Sequence, residues 1–301
     1  MNKLFKGSLI VASILVAGVA LGALLNLYVT VGGTASVEQA VVINDSNVAT
    51  YEVGTIGEPA TAGNTYYTSN LVLKNRSDTT APIEFVTTPV EGITTSYWSS
   101  VVLENKNTTT WQPIADDIQG ILTYKLVGSE FEFEFEAEGL ANETNYSLIY
   151  YADRQDRFVN FGGDNPGALI AEVTANSSGE VSVSGSTNLQ MNLPHIDDWN
   201  GSSEANYCGN AEGDNYRLCR GAKIWLVPAD DYNGTDKVVS WANMGSYLYE
   251  TDLVVYDDTA NDGTALHLGT GELDFVIKSE LVINLGTGIY STLTTEVIPV
   301  Q

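Results

Sequence analysis

Residues 24–43 read LLNLYVTVGGTASVEQAVVI, and the interpretation of the chain turns on this stretch. Odd positions carry Leu25, Leu27, Val29, Val31, Ala35, Val37, Val41 and Ile43. Even positions carry Asn26, Tyr28, Thr30, Thr34, Ser36 and Glu38. Successive side chains of a strand point to opposite faces, so this alternation predicts a strand with one buried face. Gly32-Gly33 is its one break, and the phase survives it. The expectation is a single long strand that can leave its own sheet at the glycines.

The segment before it has the order of an export signal. Lys3 and Lys6 precede an apolar run over residues 8–20, and Ala20, Gly22 and Ala23 offer small-residue cleavage positions. Three routes remain open. The segment over 1–23 is cleaved; or it is retained as an anchor, since 8–25 reaches the short end of a membrane span; or it is processed after Gly7, as prepilins are. All three place residues 34–301 outside the cytoplasm, so a secreted, cell-surface protein is expected. A membrane partner is expected only if the segment is uncleaved.

The totals narrow the function classes. Among 301 residues, Asp and Glu number 38 and Lys and Arg only 13, for a net charge of −25. Charged residues are 17%, below the ordinary quarter, so the acidity comes mainly from scarce bases. Nucleic-acid binding needs basic patches to neutralise phosphates, and this composition argues against it. The two cysteines, Cys208 and Cys219, read as a disulfide in an exported chain. Zinc would need two further ligands, and His195 and His267 are the only histidines.

After residue 25 no helix is predicted. Strand-like runs recur at 48–53, 66–74, 83–88, 94–103, 121–127, 130–137, 146–151, 168–174, 181–184, 224–227, 247–256, 272–279 and 290–297. Turn residues punctuate them, as at Ala62-Gly63-Asn64, Ser177-Ser178-Gly179 and Asn233-Gly234. Many short strands at this spacing imply antiparallel sandwiches. The fold class expected is all-β: a jelly-roll-like antiparallel β-sandwich with a second β-sandwich domain inserted into it. Residues 109–257 are richer in Tyr, Trp and Asp than their flanks. They are therefore assigned to the insertion, with 34–108 plus 258–301 closing the first domain and 24–33 as a separate N-terminal strand.

The sequence Val37-Glu38-Gln39-Ala40-Val41-Val42, followed by Gly63-Asn64-Thr65-Tyr66 and Leu71-Val72-Leu73-Lys74-Asn75-Arg76-Ser77, resembles the sandwich domain of TasA/camelysin-like extracellular fibre proteins. Archaeal bundling-pilus subunits share that look. Gly271-Glu272-Leu273-Asp274-Phe275-Val276-Ile277 and the run from Gly288 to Val297 are similar to the closing strands of the same plan. The resemblance covers about 34–104 and 264–301 and lies in strand-and-turn style. Asn145-Tyr146-Ser147-Leu148-Ile149-Tyr150-Tyr151 and Gly221-Ala222-Lys223-Ile224-Trp225-Leu226-Val227-Pro228 resemble an inserted β-domain of microbial surface proteins. The fibre resemblance implies a homopolymer assembled by strand donation, with Leu25, Leu27, Val29 and Val31 as the donated side chains. The insertion departs from that family.

Several motifs invite chemistry. Glu130-Phe131-Glu132-Phe133-Glu134-Phe135-Glu136 places same-face carboxylates roughly 6.6–7 Å apart, near glycosidase spacing. The plainer interpretation is a solvated face whose charges discourage edge pairing. Residues 230–236 and 257–263 are oxygen-rich turns that bring calcium to mind, although Asp, Asn and Gly also simply make turns. His195 with Asp197 and Asp198 lacks a nucleophile or metal partner at motif spacing. Trp98, Trp111, Trp199, Trp225 and Trp241 are candidates for stacking on sugars, against the commoner fate of core packing. Eight sequons offer glycan acceptors: Asn44, Asn75, Asn107, Asn142, Asn145, Asn176, Asn200 and Asn233. Asn75, Asn176, Asn200 and Asn233 are expected in turns.

No catalytic set assembles from these residues, and no cofactor is implied. The expected function is that of a non-catalytic structural subunit of an extracellular filament or matrix. A carbohydrate- or surface-binding adhesin, with glycans as partners, is the alternative, and a type IV pilin-like subunit follows if processing occurs after Gly7.

Overall fold

A computed structural model of the chain describes residues 25–29, 35–39, 41–44, 50–56, 62–63, 65–67, 70–76, 81–87, 92–151, 167–189, 193, 223–260, 266–268, 271–281 and 291–299. Among these the fold is all-β, antiparallel but for one short parallel pair, and sandwich-like, with two single-turn 3-10 segments and no α-helix. No described helix is long and apolar enough to cross a membrane. The chain divides into two compact units. The first holds residues 1–95, 270–273 and 279–301, and the second holds 96–269 and 274–278.

In the first unit, β1 (Leu25–Val29) pairs antiparallel with β2 (Ala35–Gln39), placing Leu25 across from Gln39, Leu27 from Val37 and Val29 from Ala35. The expected single long strand is thus a hairpin over the described residues. The glycine pair lies in the connection, and two alternating runs separated by glycines are a strong hairpin signal. β3 (Val41–Ile43) pairs with β6 (Leu71–Asn75), and Val41, Val42, Ile43, Leu71 and Leu73 are buried. β5 (Thr65–Tyr67) breaks the predicted 66–74 run in two. A further sheet has β22 (Ser291–Pro299) between β4 (Thr50–Ile56) and β7 (Ala81–Thr87).

The second unit takes over within β8 (Ile93–Asn105), a 13-residue strand. One edge of β8 pairs with β9 (Gln119–Lys125), which pairs with β11 (Phe131–Glu138), which pairs with β14 (Val181–Thr187). Its other edge meets β18 (Leu248–Glu250), followed in order by β15 (Lys223–Pro228), β12 (Asn145–Tyr151) and β13 (Gly167–Thr174). The two ends of this order, β13 and β14, are consecutive in the chain and joined by a tight turn. Gly179 stands in it at φ +77°, where a Cβ would fall 2.3 Å from the Leu140 carbonyl oxygen. The sheet therefore folds back on itself around an apolar interior that includes Phe131, Phe135, Leu122, Tyr124, Leu148 and Leu226.

β11 realises its alternation: Phe131, Phe133, Phe135 and Ala137 are buried, while Glu134, Glu136 and Glu138 are exposed. Glu132 pairs with Lys125 at 2.5 Å and Glu134 with Lys278 at 3.5 Å. Because β9 and β14 flank β11 on both sides, its carboxylates do not guard a sheet edge, contrary to the sequence-based view.

β12 and β15 behave differently. Six of the seven β12 residues are buried, as are the four central residues of β15. A strand covered on both faces reads as a continuous apolar run. Leu148, Tyr150, Ile224 and Leu226 form one face, and Ile149, Tyr151, Trp225 and Val227 the other. The second face carries a separate small core with Val239, Tyr247 and Tyr249. β16 (Tyr232–Asn233), β17 (Val238–Val239) and the 3-10 turn Met244–Ser246 supply the residues that close over it.

Candidate functional site

The outer core of the second unit ends in an open cavity of about 260 Å³ lined by Trp111, Tyr151, Trp225, Trp241, Tyr249, Lys106, Lys223 and Glu250. Strand register explains the floor. Trp225 pairs with Tyr249 across β15 and β18, and Tyr151 lies diagonally from Trp225 across β12 and β15, within reach of large rings. The Tyr151 and Trp225 rings stack, with centroids 3.8 Å apart and planes at 11°. Tyr249 and Trp241 meet Trp225 edge-on, at 5.2 and 5.1 Å. Such offset and T-shaped pairs follow from the ring quadrupole.

Two loops supply the walls. Trp111 sits in the loop after β8, at φ 57° and 47% exposed. Asn107 builds this loop: its side-chain oxygen accepts the Thr109 and Thr110 N–H groups at 3.0 Å, and its carbonyl accepts Trp111 N–H at 2.7 Å. Trp241 has φ 62°. Its segment is clasped by buried Asp231, whose carboxylate accepts Tyr247 Oη–H at 2.7 Å, Asn243 N–H at 2.7 Å, Asn243 Nδ2 at 2.9 Å and Ser240 Oγ at 3.1 Å. Burial alone would push the Asp231 carboxyl up; these hydrogen bonds outweigh it and hold the group below the ordinary carboxylate range. Tyr249 Oη–H adds a bond to the Met244 carbonyl at 2.7 Å. The left-handed region is costly for a bulky side chain, about 1–3 kcal/mol each, and persists where surroundings over-determine it. Both wall tryptophans are held that way.

Glu250 supplies the cavity's carboxylate. Trp225 Nε1–H donates to its Oε2 at 2.6 Å, and Lys106 Nζ donates to its backbone carbonyl at 2.6 Å. Burial is the main influence on the acid and pushes it up to about 7, against the partial pull of Lys223, Lys106 and the indole N–H.

The other sequence candidates distribute elsewhere. Trp98 packs apart from the cavity, its N–H donating to Ser96 Oγ at 2.8 Å and Lys278 Nζ lying 4.7 Å above the ring. Trp199, His195, Cys208, Cys219, Asn200 and Val31 lie outside the described residues. In the 230–236 turn, the Asp231 and Asn233 oxygens are engaged internally: Asp231 as above, and Asn233 through Thr235 N–H at 2.9 Å and Asp236 N–H at 3.1 Å. Asp257 and Asp258 are not in an open turn but form the buried two-residue strand β19, parallel to β10 (Val127–Gly128). Among the described residues, no group of three or more His, Cys, Asp or Glu side chains is placed to hold a metal ion.

The sequons also separate. Asn75 is the last residue of β6 and 4% exposed, so the expected turn presentation is corrected: its amide is not offered to a large glycan. Asn44, Asn107, Asn142, Asn145, Asn176 and Asn233 are exposed. In Asn107, Asn176 and Asn233 the side-chain oxygen accepts the N–H of the sequon's own Thr or Ser, at 3.0, 2.8 and 2.9 Å. Asn44 instead accepts Val72 N–H at 2.9 Å, and Asn145 accepts Thr174 Oγ1–H at 2.8 Å.

No protein-family model matches the chain, and no curated protein matches its sequence.

Sequence reasoning named three of the cavity's residues, Trp111, Trp225 and Trp241, and missed Tyr151, Tyr249, Lys106, Lys223 and Glu250. The available signal was the run Lys223-Ile224-Trp225, whose period two puts Lys223 and Trp225 on one face.

Proposed function

We propose that the second unit is a non-catalytic carbohydrate-binding module on a secreted, surface-exposed protein. The observation that carries this is the pair of walls: Trp111 and Trp241, each held at positive φ, flank an open cavity floored by stacked Tyr151 and Trp225. Sugar rings have apolar C–H faces and polar edges. A cavity of ring-sized aromatic walls with a few fixed polar groups matches both. Trp225 is 3% exposed and serves as the floor, while Trp111 is 47% exposed and meets Trp241 and Tyr249 in T-shaped contacts.

The full chain applied to a glycan array is expected to retain a defined glycan set. Trp111→Ala is expected to weaken that binding by about tenfold, since one aromatic contact contributes about 0.5–1.5 kcal/mol beyond burial, while the thermal midpoint changes little. Unchanged glycan retention by a folded Trp111→Ala, Trp241→Ala double variant rules the reading out.

A second reading, filament assembly by strand donation, is favoured by the β1–β2 hairpin. Among the described residues these two strands form a sheet of their own, and an isolated two-stranded hairpin is marginally stable in water. If β1 leaves its own β2 and makes the same pairs with β2 of a neighbour, a one-directional exchange propagates into a filament, whereas a reciprocal one closes into a dimer. Negative-stain microscopy is expected to find fibres from residues 24–301 and none from 34–301; fibres from the truncation sink this reading.

A further inference from the structure

Neither carbohydrate binding nor filament assembly calls on the chain's own sequons. Among the described ones, Asn107-Thr108-Thr109 has a geometry that the others lack. It lies at the tip of a chain reversal. Ile114 N–H donates to the Asn105 carbonyl at 2.9 Å, Asn107 N–H to the Gln112 carbonyl at 2.9 Å, and Trp111 N–H to the Asn107 carbonyl at 2.7 Å. The tip is thus closed by its own backbone, and Asn107 and Thr109 stand exposed on it. The Asn107 side-chain oxygen accepts the Thr109 and Thr110 N–H groups, each at 3.0 Å. Oδ1 and Nδ2 share one planar carbon, so an oxygen drawn into the turn aims the amino nitrogen away from it. Among the described residues nothing accepts a hydrogen bond from that nitrogen.

The other described sequons each fall short at one point. Asn176 and Asn233 hold their oxygens in the same way, but Asn176 Nδ2 donates to Glu180 Oε2 at 3.0 Å and Asn233 Nδ2 to Asp236 Oδ2 at 2.7 Å. A nitrogen so engaged must first leave its carboxylate. Asn142 has its sequon hydroxyl turned back, with Thr144 Oγ1–H donating to the Asn142 carbonyl at 3.2 Å. Ser147 of the Asn145 sequon is buried, and so is Asn75 itself. Asn44 gives its oxygen to Val72 N–H, on another strand.

An amide nitrogen is a poor nucleophile because its lone pair is shared with the carbonyl. Donors on the oxygen stabilise the charge that gathers there as the nitrogen loses its proton. In Asn107 two backbone N–H groups already occupy that position. We infer that Asn107 is the preferred N-glycosylation site among the described sequons, and that the fold makes it so. The donor is an oligosaccharide carried on a lipid phosphate and presented by a transferase. Nδ2 bonds to the anomeric carbon, and the bond from that carbon to the phosphate oxygen breaks. The lipid phosphate leaves with the electron pair, and the Nδ2 proton passes to a base of the transferase. The product places a covalent sugar on the loop that carries Trp111, a wall of the aromatic cavity. The assignment is independent of what that cavity binds.

The test incubates the folded full chain with a purified oligosaccharyltransferase and its lipid-linked oligosaccharide, and follows each sequon by mass spectrometry of the glycopeptides. Asn107 is expected to fill about fivefold faster than Asn176 or Asn233, the effect of one net side-chain hydrogen bond. Glu180→Ala releases the Asn176 amino group while the residue 180 N–H still bonds to Asn176 Oδ1. It is expected to raise the Asn176 rate to about that of Asn107 and to leave Asn107 unchanged. Short peptides spanning the three sequons lack the turns and are expected to react at similar rates. Thermal melts confirm that the variant is folded. A folded chain in which Asn176 or Asn233 fills first, or in which Asn107 stays empty, overturns the assignment. So does an Asn107 preference repeated in the free peptides, or an Asn176 rate indifferent to Glu180→Ala.

Discussion

Trp225→Ala is expected to destabilise the protein by about 3–5 kcal/mol, the range for emptying a buried large aromatic site. The indole is the centre of the outer core. It stacks on Tyr151, takes the edges of Trp241 and Tyr249, and sits 3% exposed at mid-strand of β15. Truncation leaves a void that Tyr151 and Tyr249 cannot fill without leaving their strands. It also removes the N–H donor to Glu250, so a partly buried carboxylate loses its closest hydrogen bond. Trp225→Phe separates the two effects. It keeps a six-membered ring but loses the donor and the fused five-membered ring, and the expected cost is smaller, about 1–3 kcal/mol. Urea denaturation of the three proteins reads both numbers. A loss below about 1 kcal/mol for Trp225→Ala would mean that the outer core does not hold this unit together.

Stability is also expected to fall as pH rises from about 4.5 to about 7, through Glu250. The unfolded chain releases this proton at about 4.5, whereas the folded protein keeps it to about 7. Over that window the folded state binds the extra proton, so raising the pH favours unfolding, and the loss persists above the window. The groups facing Glu250 are Lys223, Lys106 and the Trp225 N–H, which favour the ionised form, and the neighbouring Tyr249 phenol, which burial keeps protonated. The shift corresponds to about 3 kcal/mol for a fully shielded group, and about 2–3 kcal/mol at the edge of an open cavity. Glu250→Gln retains an acceptor for the indole and cannot ionise. The variant is therefore expected to equal the wild type near pH 4 and to exceed it by about 2–3 kcal/mol near pH 8. A stability difference that stays constant between those pH values would remove Glu250 as the cause.

Single residues divide what was legible from what was not. The alternation Phe131, Phe133, Phe135 gave its strand and its buried face at once, because periodicity is a property of consecutive residues. The run 24–43 gave strands but not their pairing. Whether two alternating halves continue or fold back depends on φ and ψ at the glycines, which alternation does not encode. Asp257 and Asp258 looked like a solvated turn, and the structure buries them in β19, because a strand neighbour 130 residues away in sequence, β10, was there to pair with them. Asn75 reads as a turn sequon and is the buried end of β6 for the same reason.

By itself the sequence determined the fold class of this protein, β-strands in antiparallel sheets, and an acidic, base-poor composition. These are sums or short-range periodicities, and a linear chain displays them directly. The tertiary structure decided which tryptophans meet. Trp111, Tyr151, Trp225 and Trp241 come from two loops and two strands, and only the order β12–β15–β18 and the Asp231 clasp bring them to one cavity. It also decided that two of the scarce lysines stand there beside one carboxylate. Sheet order and loop closure join residues far apart in the chain, so no local pattern could announce them.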